Sequence, residues 1–349
     1  MLIADGFFSL PLHRHMKEIV YHYGDNLTQE GHYAVTIGFF DGVHMGHRFL
    51  IRQLQELAEQ RGLKTMVVTF ENHPRRVLHS EWQPQLLTSL EEKKKMIEET
   101  GVDALAILKF DQQMAQLSAR EFMGEVLGKQ LNAQLLLTGY DNRFGHDRTE
   151  TFDDYVGYGK QLGIEVTVGK PYSYDNNNDG PHRNVSSSLV RKLIGEGKME
   201  EAAHCLGRPY ELTGKVVHGE QVGRKLGFPT ANIEIDDNDR LIPPSGVYAV
   251  TVTENSMREK GNRKTALCYH GMMNIGTRPT FDGQRQTLEV NIFDFDKDIY
   301  GQRITIGFAC RLRNEQFFDS PQLLAAQMEK DAKEAKEYLN GQTDISLSI

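Results

Sequence analysis

Cysteine is scarce: Cys205, Cys268 and Cys310 are the only three in 349 residues, and they lie far apart. An odd, scattered set offers no disulfide framework and no metal-type spacing, and it fits free thiols in a reducing cytosol. Long apolar runs are missing too. No stretch approaches the roughly 20 apolar residues of a membrane span, so no membrane partner is expected. There is no basic tail or polybasic block, and with a net charge of −8 no general nucleic-acid surface is expected. Local basic clusters remain available for anionic small molecules. The apolar patch Phe7-Phe8-Ser9-Leu10-Pro11-Leu12 has no basic segment before it, which argues against a signal peptide. Residues 1–15 read instead as an extension upstream of Met16, a more ordinary start to the first strand. No internal repeat is visible.

What is present is globular. Hydrophobic residues make up 39% and charged residues 25%, and the length is comfortable for two domains. Between about 33 and 170, strand and helix patterns alternate. Strands are expected over Tyr33–Ile37, Thr65–Phe70, Ala104–Lys109, Gln134–Thr138 and Glu165–Val168, and helices over Arg48–Gln60, Ser89–Glu99, Ser118–Leu127 and Phe152–Leu162. Such alternation argues for a parallel sheet covered on both faces, with ligands beyond the carboxyl ends of the strands. Residues 175–181 are polar and turn-rich and read as a mobile loop. Helices are expected over Ser186–Ile194 and Met199–Leu206, the second stopped by Gly207-Arg208-Pro209.

Beyond Tyr210 the pattern changes to short strands with turn signals: Glu211–Val217, Gly246–Thr253, Lys264–Tyr269, Leu288–Phe293 and Ile304–Leu312. That predicts a small antiparallel barrel. Ser320-Pro321 starts a final helix whose inner face carries Leu323, Leu324, Met328, Ala332 and Leu339.

The segment from Gly38 to His47 is the most informative. It places His44 and His47, three residues apart, where a buried strand hands over to a helix N-terminus. Unpaired N–H groups and the helix dipole suit a phosphate there, and two histidines add donors to a phosphorus centre gaining negative charge. The plainer alternative is a surface turn with a helix cap. The string Gly38-Phe39-Phe40-Asp41-Gly42-Val43-His44-Met45-Gly46-His47 resembles the first signature of the bacterial bifunctional riboflavin kinase/FMN adenylyltransferase (FAD synthetase) family. Further on, Thr69-Phe70-Glu71-Asn72-His73-Pro74 is similar to the family's T-F-x-P-H-P string, with Asn72 for proline. Leu87-Thr88 and Glu92-Lys93 resemble L-T-x-x-x-E-K. Gly139-Tyr140-Asp141-Asn142-Arg143-Phe144-Gly145 resembles G-x-D-F-R-F-G, with Asn142 for an aromatic. Ser186-Ser187-Ser188-Leu189-Val190-Arg191 is similar to S-S-T-x-I-R.

The resemblance implies adenylyl transfer, in which the FMN phosphate attacks the α-phosphorus of ATP. His44 and His47 would serve the α-phosphate, within a turn formed by Gly38, Phe39, Asp41 and Gly46. Arg191, with Ser187 and Ser188, would hold the β- and γ-phosphates. Asp141 is a candidate for the adenosine or metal side, and His73 for the flavin phosphate side.

A second site is expected after residue 207. Gly219 to Gly227, with Gly223, Arg224 and Lys225, is a glycine-rich loop suited to close backbone approach to phosphates. Thr230 and Asn232 offer two neutral oxygens on one side of an extended segment, which together with ATP phosphates suit Mg²⁺. Gly207-Arg208-Pro209-Tyr210, Gly223-Arg224-Lys225-Leu226-Gly227-Phe228-Pro229-Thr230-Ala231-Asn232, Asn274 to Thr280, Glu289, Tyr300-Gly301 and Arg311-Leu312-Arg313 resemble the family's riboflavin kinase module. By that resemblance Thr230 and Asn232 hold Mg²⁺–ATP, and Glu289 is general base on the ribityl 5′-hydroxyl of riboflavin.

The resemblance therefore implies an α/β chain: a Rossmann-like nucleotidyltransferase domain over 1–184, linking helices over 185–206, and a six-stranded kinase barrel with a terminal helix over 207–349. It implies a cytoplasmic enzyme, monomeric or weakly self-associating, converting riboflavin to FMN and then FAD. Its partners would be riboflavin, flavin nucleotides, ATP, ADP and pyrophosphate, with Mg²⁺ as cofactor. A kinase-only chain and a non-catalytic flavin-binding protein are the rival readings. His44, His47 and Arg191 argue against the first, and the Thr230, Asn232, Glu289 set against the second.

Overall fold

A computed structural model describes residues 15–343 apart from 28, 79–84, 141–142, 147–148, 175–182, 220–222, 224–226, 236, 238, 255–257, 261–262, 266 and 281–282. The expected loop at 175–181 lies outside the described residues. The chain divides into two compact units, one of residues 1–84 and 88–185, the other of 85–87 and 186–349.

The first unit is built on six strands: β1 (Lys17–His22), β2 (Tyr33–Ile37), β3 (Lys64–Phe70), β4 (Ala104–Lys109), β5 (Ala133–Thr138) and β6 (Glu165–Val168). They pair in parallel in the order β1-β4-β3-β2-β5-β6. All five residues of β2 are buried, as expected of a parallel strand covered on both faces. Val35, Ile37, Met66 and Val68 meet Met123 and Leu127 in one core layer. Val67, Leu105 and Ile107 meet Ile51 and Ile97 in another. The chain leaves β2 toward β3 and β4 on one side and returns to β5 and β6 on the other. That reversal opens a crevice at the carboxyl ends of β2 and β5.

Three helices frame this sheet: α1 (Met45–Arg61), α2 (Leu90–Glu98) and α3 (Phe152–Leu162). α1 ends at Gly62, whose φ of 63° is the left-handed C-cap position. Ser89 and Glu92 form a capping box on α2. The helix expected over Ser118–Leu127 differs. A capped α-turn, Ala119–Glu121, runs into a π-helix, Phe122–Gln130. The wider winding turns Phe122, Met123, Val126, Leu127 and Gln130 inward together, and Gln130 accepts from the Leu27 N–H at 2.8 Å.

The second unit begins with α4 (Ser187–Gly195) and α5 (Met199–Leu206). Six strands follow: β7 (Tyr210–Val217), β8 (Ala231–Ile235), β9 (Gly246–Glu254), β10 (Cys268–Thr280), β11 (Gly283–Ile292) and β12 (Arg303–Arg313). They close an antiparallel barrel in the order β8-β11-β10-β9-β12-β7. Alternate positions fill its interior, including Leu212, Val216, Tyr248, Val250, Met273, Ile275, Val290, Ile306 and Phe308. A last helix, α6 (Pro321–Thr343), packs Met328, Ala335 and Leu339 with Ala249, Met272 and Cys310.

Three expectations here need correction. β8 is a barrel strand where only an extended segment at Thr230 to Asn232 is expected. Lys264 and Thr265 belong to a short ribbon with Arg258–Lys260, and the barrel strand starts at Cys268. Leu323 is 56% exposed. The inner stripe of α6 is Leu324, Met328, Asp331, Ala335 and Leu339, and Leu323 lies about 100° of helix rotation off it.

Candidate active sites

The first site grows from the end of β2. Beyond Ile37 the chain makes a constrained turn in which Phe40 (φ 54°) and Val43 (φ 38°) both adopt left-handed backbone. Such conformations are unfavourable for these residues and persist only when the surroundings fix them. Here they are fixed. Phe40 and Val43 are buried in the core, and Asp41 Oδ1 accepts from the Thr88 N–H at 3.1 Å and from its hydroxyl at 3.3 Å. The Gly42 N–H donates to Thr88 Oγ1 at 3.1 Å.

The turn delivers His44 to the N-cap of α1, where its Nδ1 accepts the His47 N–H at 3.3 Å. With Nδ1 accepting, the neutral imidazole carries its proton on Nε2, so the ring presents a donor. The His44 and His47 rings stack at 3.6 Å with 16° between planes. Gly46 makes that stack possible. A Cβ there would lie 2.9 Å from the Val185 carbonyl oxygen and 3.1 Å from the His44 ring. His44 is thus the N-cap of α1, and that geometry does not conflict with the phosphate reading.

Around the pair, His73 meets the Phe39 ring at 4.5 Å. Gly38 lies under the Phe40 ring, which a Cβ would approach to 3.1 Å. Gly38, Phe39, Asp41, His44, Gly46, His47 and His73 therefore gather at the carboxyl ends of β2 and β3. Asp141 lies outside the described residues. Lys93, of the Glu92-Lys93 element, lies on α2. It is 3% exposed and donates to the carbonyls of Phe39 and Phe70 at 3.1 Å each. Burial pushes its ammonium down to about 8, against the opposing pull of Asp41.

Ser187, Ser188 and Arg191 belong to the second unit. Ser186 caps α4, accepting from the Leu189 N–H at 3.2 Å. Arg191, about one turn in, donates its Nε to the Gln85 carbonyl at 2.8 Å.

The barrel site is centred on β8 and β11. Asn232 and Glu289 face each other across the strand pair, and the Thr230 hydroxyl lies 3.5 Å from Glu289 Oε2. Pairing and i, i+2 spacing put all three side chains on one face of the sheet. Asn291 fixes the approach to Thr230 by donating to the Pro229 carbonyl at 2.8 Å. Two glycines clear space: a Cβ at Gly219 would collide with the Asn232 amide, and one at Gly223 would sit 3.1 Å from Thr230 Oγ1. Gly227 turns the loop with φ 87°. Arg224 and Lys225 lie outside the described residues.

Two cavities meet at Thr230. One, of about 410 Å³, is lined by Pro229, Thr230, Ala231, Phe295, Lys297 and Tyr300 among others. The other, of about 250 Å³, is lined by Thr230, Glu289, Asn274, Met272, Phe318 and Met328 among others. Its floor includes the ion pair of Arg313 with Asp331, at 2.7 Å. Gln327 also donates to Asp331, at 2.8 Å. Asp331 escaped the sequence reading. Its signal was an acid on the apolar stripe of α6, at a spacing that buries it.

Two family models match the chain, FAD synthetase over residues 27–183 and riboflavin kinase over 206–339. A bifunctional riboflavin kinase/FMN adenylyltransferase from Escherichia coli (strain K12) is 38% identical over 310 residues, covering 89% of this chain and 93% of that protein. One from Bacillus subtilis (strain 168) is 35% identical, covering 88% and 92%. A crystal structure called a macrolide-efflux protein, from Streptococcus pneumoniae, aligns with TM-score 0.78 and 32% identity over 90% of this chain and 97% of that one. Among the described residues no helix is long and apolar enough to cross a membrane.

Proposed function

The chain belongs to the bifunctional riboflavin kinase/FMN adenylyltransferase family, and from that membership we infer that it phosphorylates riboflavin to FMN and adenylylates FMN to FAD, each with ATP. The observation that carries this reading is the match of both half-reaction models, in order, within one chain.

We assign the kinase step to the barrel. The 250 Å³ cavity, with apolar walls and Glu289 at its edge, suits a flat ring whose alcohol tail reaches the carboxylate. The 410 Å³ cavity would take ATP. Glu289 would accept the proton of the ribityl 5′-hydroxyl as that oxygen attacks the γ-phosphorus and ADP leaves. The donor set fits Mg²⁺: a threonine hydroxyl, an asparagine amide kept clear by Gly219, and a carboxylate nearby. Thr230 and Asn232 would hold the ion, which supplies charge neutralisation on the transferring phosphate. Gly223, Arg224, Lys225 and Gly227 would border the ATP phosphates.

We assign the adenylyl step to the α/β unit. An FMN phosphate oxygen attacks the α-phosphorus of ATP, the bond to the bridging oxygen breaks, and pyrophosphate leaves. No covalent protein intermediate is needed, so positioning and charge stabilisation carry catalysis. His44 and His47 would donate to the α-phosphate oxygens, and His73 would face the FMN phosphate. Asp141 would serve the adenosine or metal side, and Arg191 with Ser187 and Ser188 the leaving pyrophosphate. We place the functional division at 184, with 185–206 linking, and the enzyme in the cytosol, where its three free cysteines stay reduced.

The test is incubation of the whole chain with riboflavin, ATP and Mg²⁺ and chromatographic separation of products. FMN followed by FAD is expected. His47→Ala should lose FAD formation and keep FMN formation, and Glu289→Ala should do the reverse with supplied FMN. Equal loss of both activities in either variant would overturn the division.

A further inference from the structure

Lys93 is the one buried ammonium that the mechanism above does not use among the described residues of the first unit. It sits at the junction of the two segments that bring His44, His47 and His73 together. Phe39 opens the turn after β2, and Phe70 ends β3 three residues before His73. One ammonium grips both carbonyls, and it also lies 4.2 Å from the Phe39 ring centre, the ring that His73 touches. Just before the same helix, Thr88 holds the turn from the other side through Asp41 and Gly42. The segment that opens α2 is therefore fastened to the turn at two residues, Thr88 and Lys93.

Satisfying the Phe39 carbonyl does not explain the charge. The Phe39 carbonyl already accepts from the Thr69 hydroxyl at 3.0 Å. Met96 and Ile97 of the same helix lie in an apolar core with Phe40, Val67 and Leu105, and a methionine at 93 would bring no ion to desolvate. What a linear apolar side chain cannot do is fix the distance between two strand ends.

We propose that Lys93 is a positioning residue for adenylyl transfer: it ties the Phe39 carbonyl to the Phe70 carbonyl and thereby sets the separation of the His44/His47 turn from His73. This rests on the assignment of adenylyl transfer to the α/β unit.

The test uses the full chain as wild type, Lys93→Met and Lys93→Arg. It measures kcat and KM for FAD formation from FMN, riboflavin phosphorylation as internal control, and thermal unfolding. Misplacement of reacting groups by about an ångström can cost about 100-fold, so Lys93→Met should lower kcat for FAD formation by about 10- to 100-fold. KM, the kinase activity and the unfolding temperature should not fall with it. Lys93→Arg, which keeps the donors, should recover part of the rate. A wild-type kcat in Lys93→Met, or an arginine variant that folds yet is no better than methionine, overturns the role of Lys93 alone. If Lys93→Met does not fold, a fully active Lys93→Arg supports the tie and an inactive, folded one refutes it. Absence of FAD with the wild type overturns the assignment of the unit itself.

Discussion

The buried charge of Lys93 makes a prediction about stability that can be worked through. Replacing Lys93 by methionine keeps an unbranched chain of similar length and removes the ammonium. In the folded protein burial lowers that group from its ordinary 10.5 to about 8, with Asp41 as the opposing charge. At about 1.4 kcal/mol for each tenfold in a proton equilibrium, the difference corresponds to about 3 kcal/mol. The sign follows from proton counts. Below pH 8 both folded and unfolded chains hold the proton, and the wild type bears the whole penalty. Between about pH 8 and 10.5 the folded chain releases the proton while the unfolded chain keeps it, so wild-type stability gains with rising pH. The methionine variant has no such gain. Urea unfolding of both proteins at pH 7, 8, 9 and 10 should therefore show the variant's relative stability greatest at pH 7 and declining by about 2 kcal/mol or more by pH 10. Other groups titrating in that range are common to both chains and cancel in the difference. A difference that stays flat from pH 7 to 10 would refute a charged, desolvated Lys93.

Three further substitutions test the geometry. Gly46→Ala places a Cβ against the Val185 carbonyl and the His44 ring. It should lower FAD formation by about tenfold or more while FMN formation is unchanged in the same preparation. Asp331→Ala leaves the guanidinium of Arg313 half-buried without its carboxylate. Loss of one partner of a buried pair costs about 3–5 kcal/mol, read as a lower urea midpoint for the barrel unit. Gly219→Ala drives a methyl into the Asn232 amide, and a raised apparent KM for Mg²⁺–ATP in riboflavin phosphorylation is the outcome to look for.

How legible each part was depended on how locally it is encoded. The first site's turn is contiguous: strand, glycine turn and capped helix occur within Tyr33 to Arg61, so pattern and motif pointed to the same place. The stacking of His44 on His47 also follows from their spacing, since N-cap and third helical position lie on one side of the first turn. What the sequence could not rank were Thr88 and Lys93, more than 40 residues away, because their roles depend on which strand ends the sheet brings together. The barrel was harder. β8 carries an asparagine and lies just after Pro229, and its extended segment does not stand out as a barrel strand because its pairing with β7 and β11 is non-local. The strand from Cys268 to Thr280 contains Gly271, Gly276 and Pro279, residues that ordinarily mark turns, yet it pairs with β11 along its length.

The same contrast predicts that the two sites should fail differently when disturbed. In the α/β unit His44 and His47 follow a turn whose backbone is unfavourable at Phe40 and Val43 and is held by Asp41, Thr88 and Lys93. The restraint comes from side chains at the start of one helix, so a change to any of them can loosen the turn while the six-stranded sheet behind it stands. In the barrel, Thr230 is the last residue before β8, and Asn232 and Glu289 sit opposite one another within the ladder. Their separation is fixed by strand pairing itself, and side chains such as Asn291 only set the entry of the segment. A single core substitution near the barrel site should therefore act through the stability of the whole closed sheet, whereas one near Phe39 should act on rate first. Comparing kcat loss with unfolding free energy across a set of variants in each unit would separate these modes: proportional in the barrel, uncorrelated around the α/β turn.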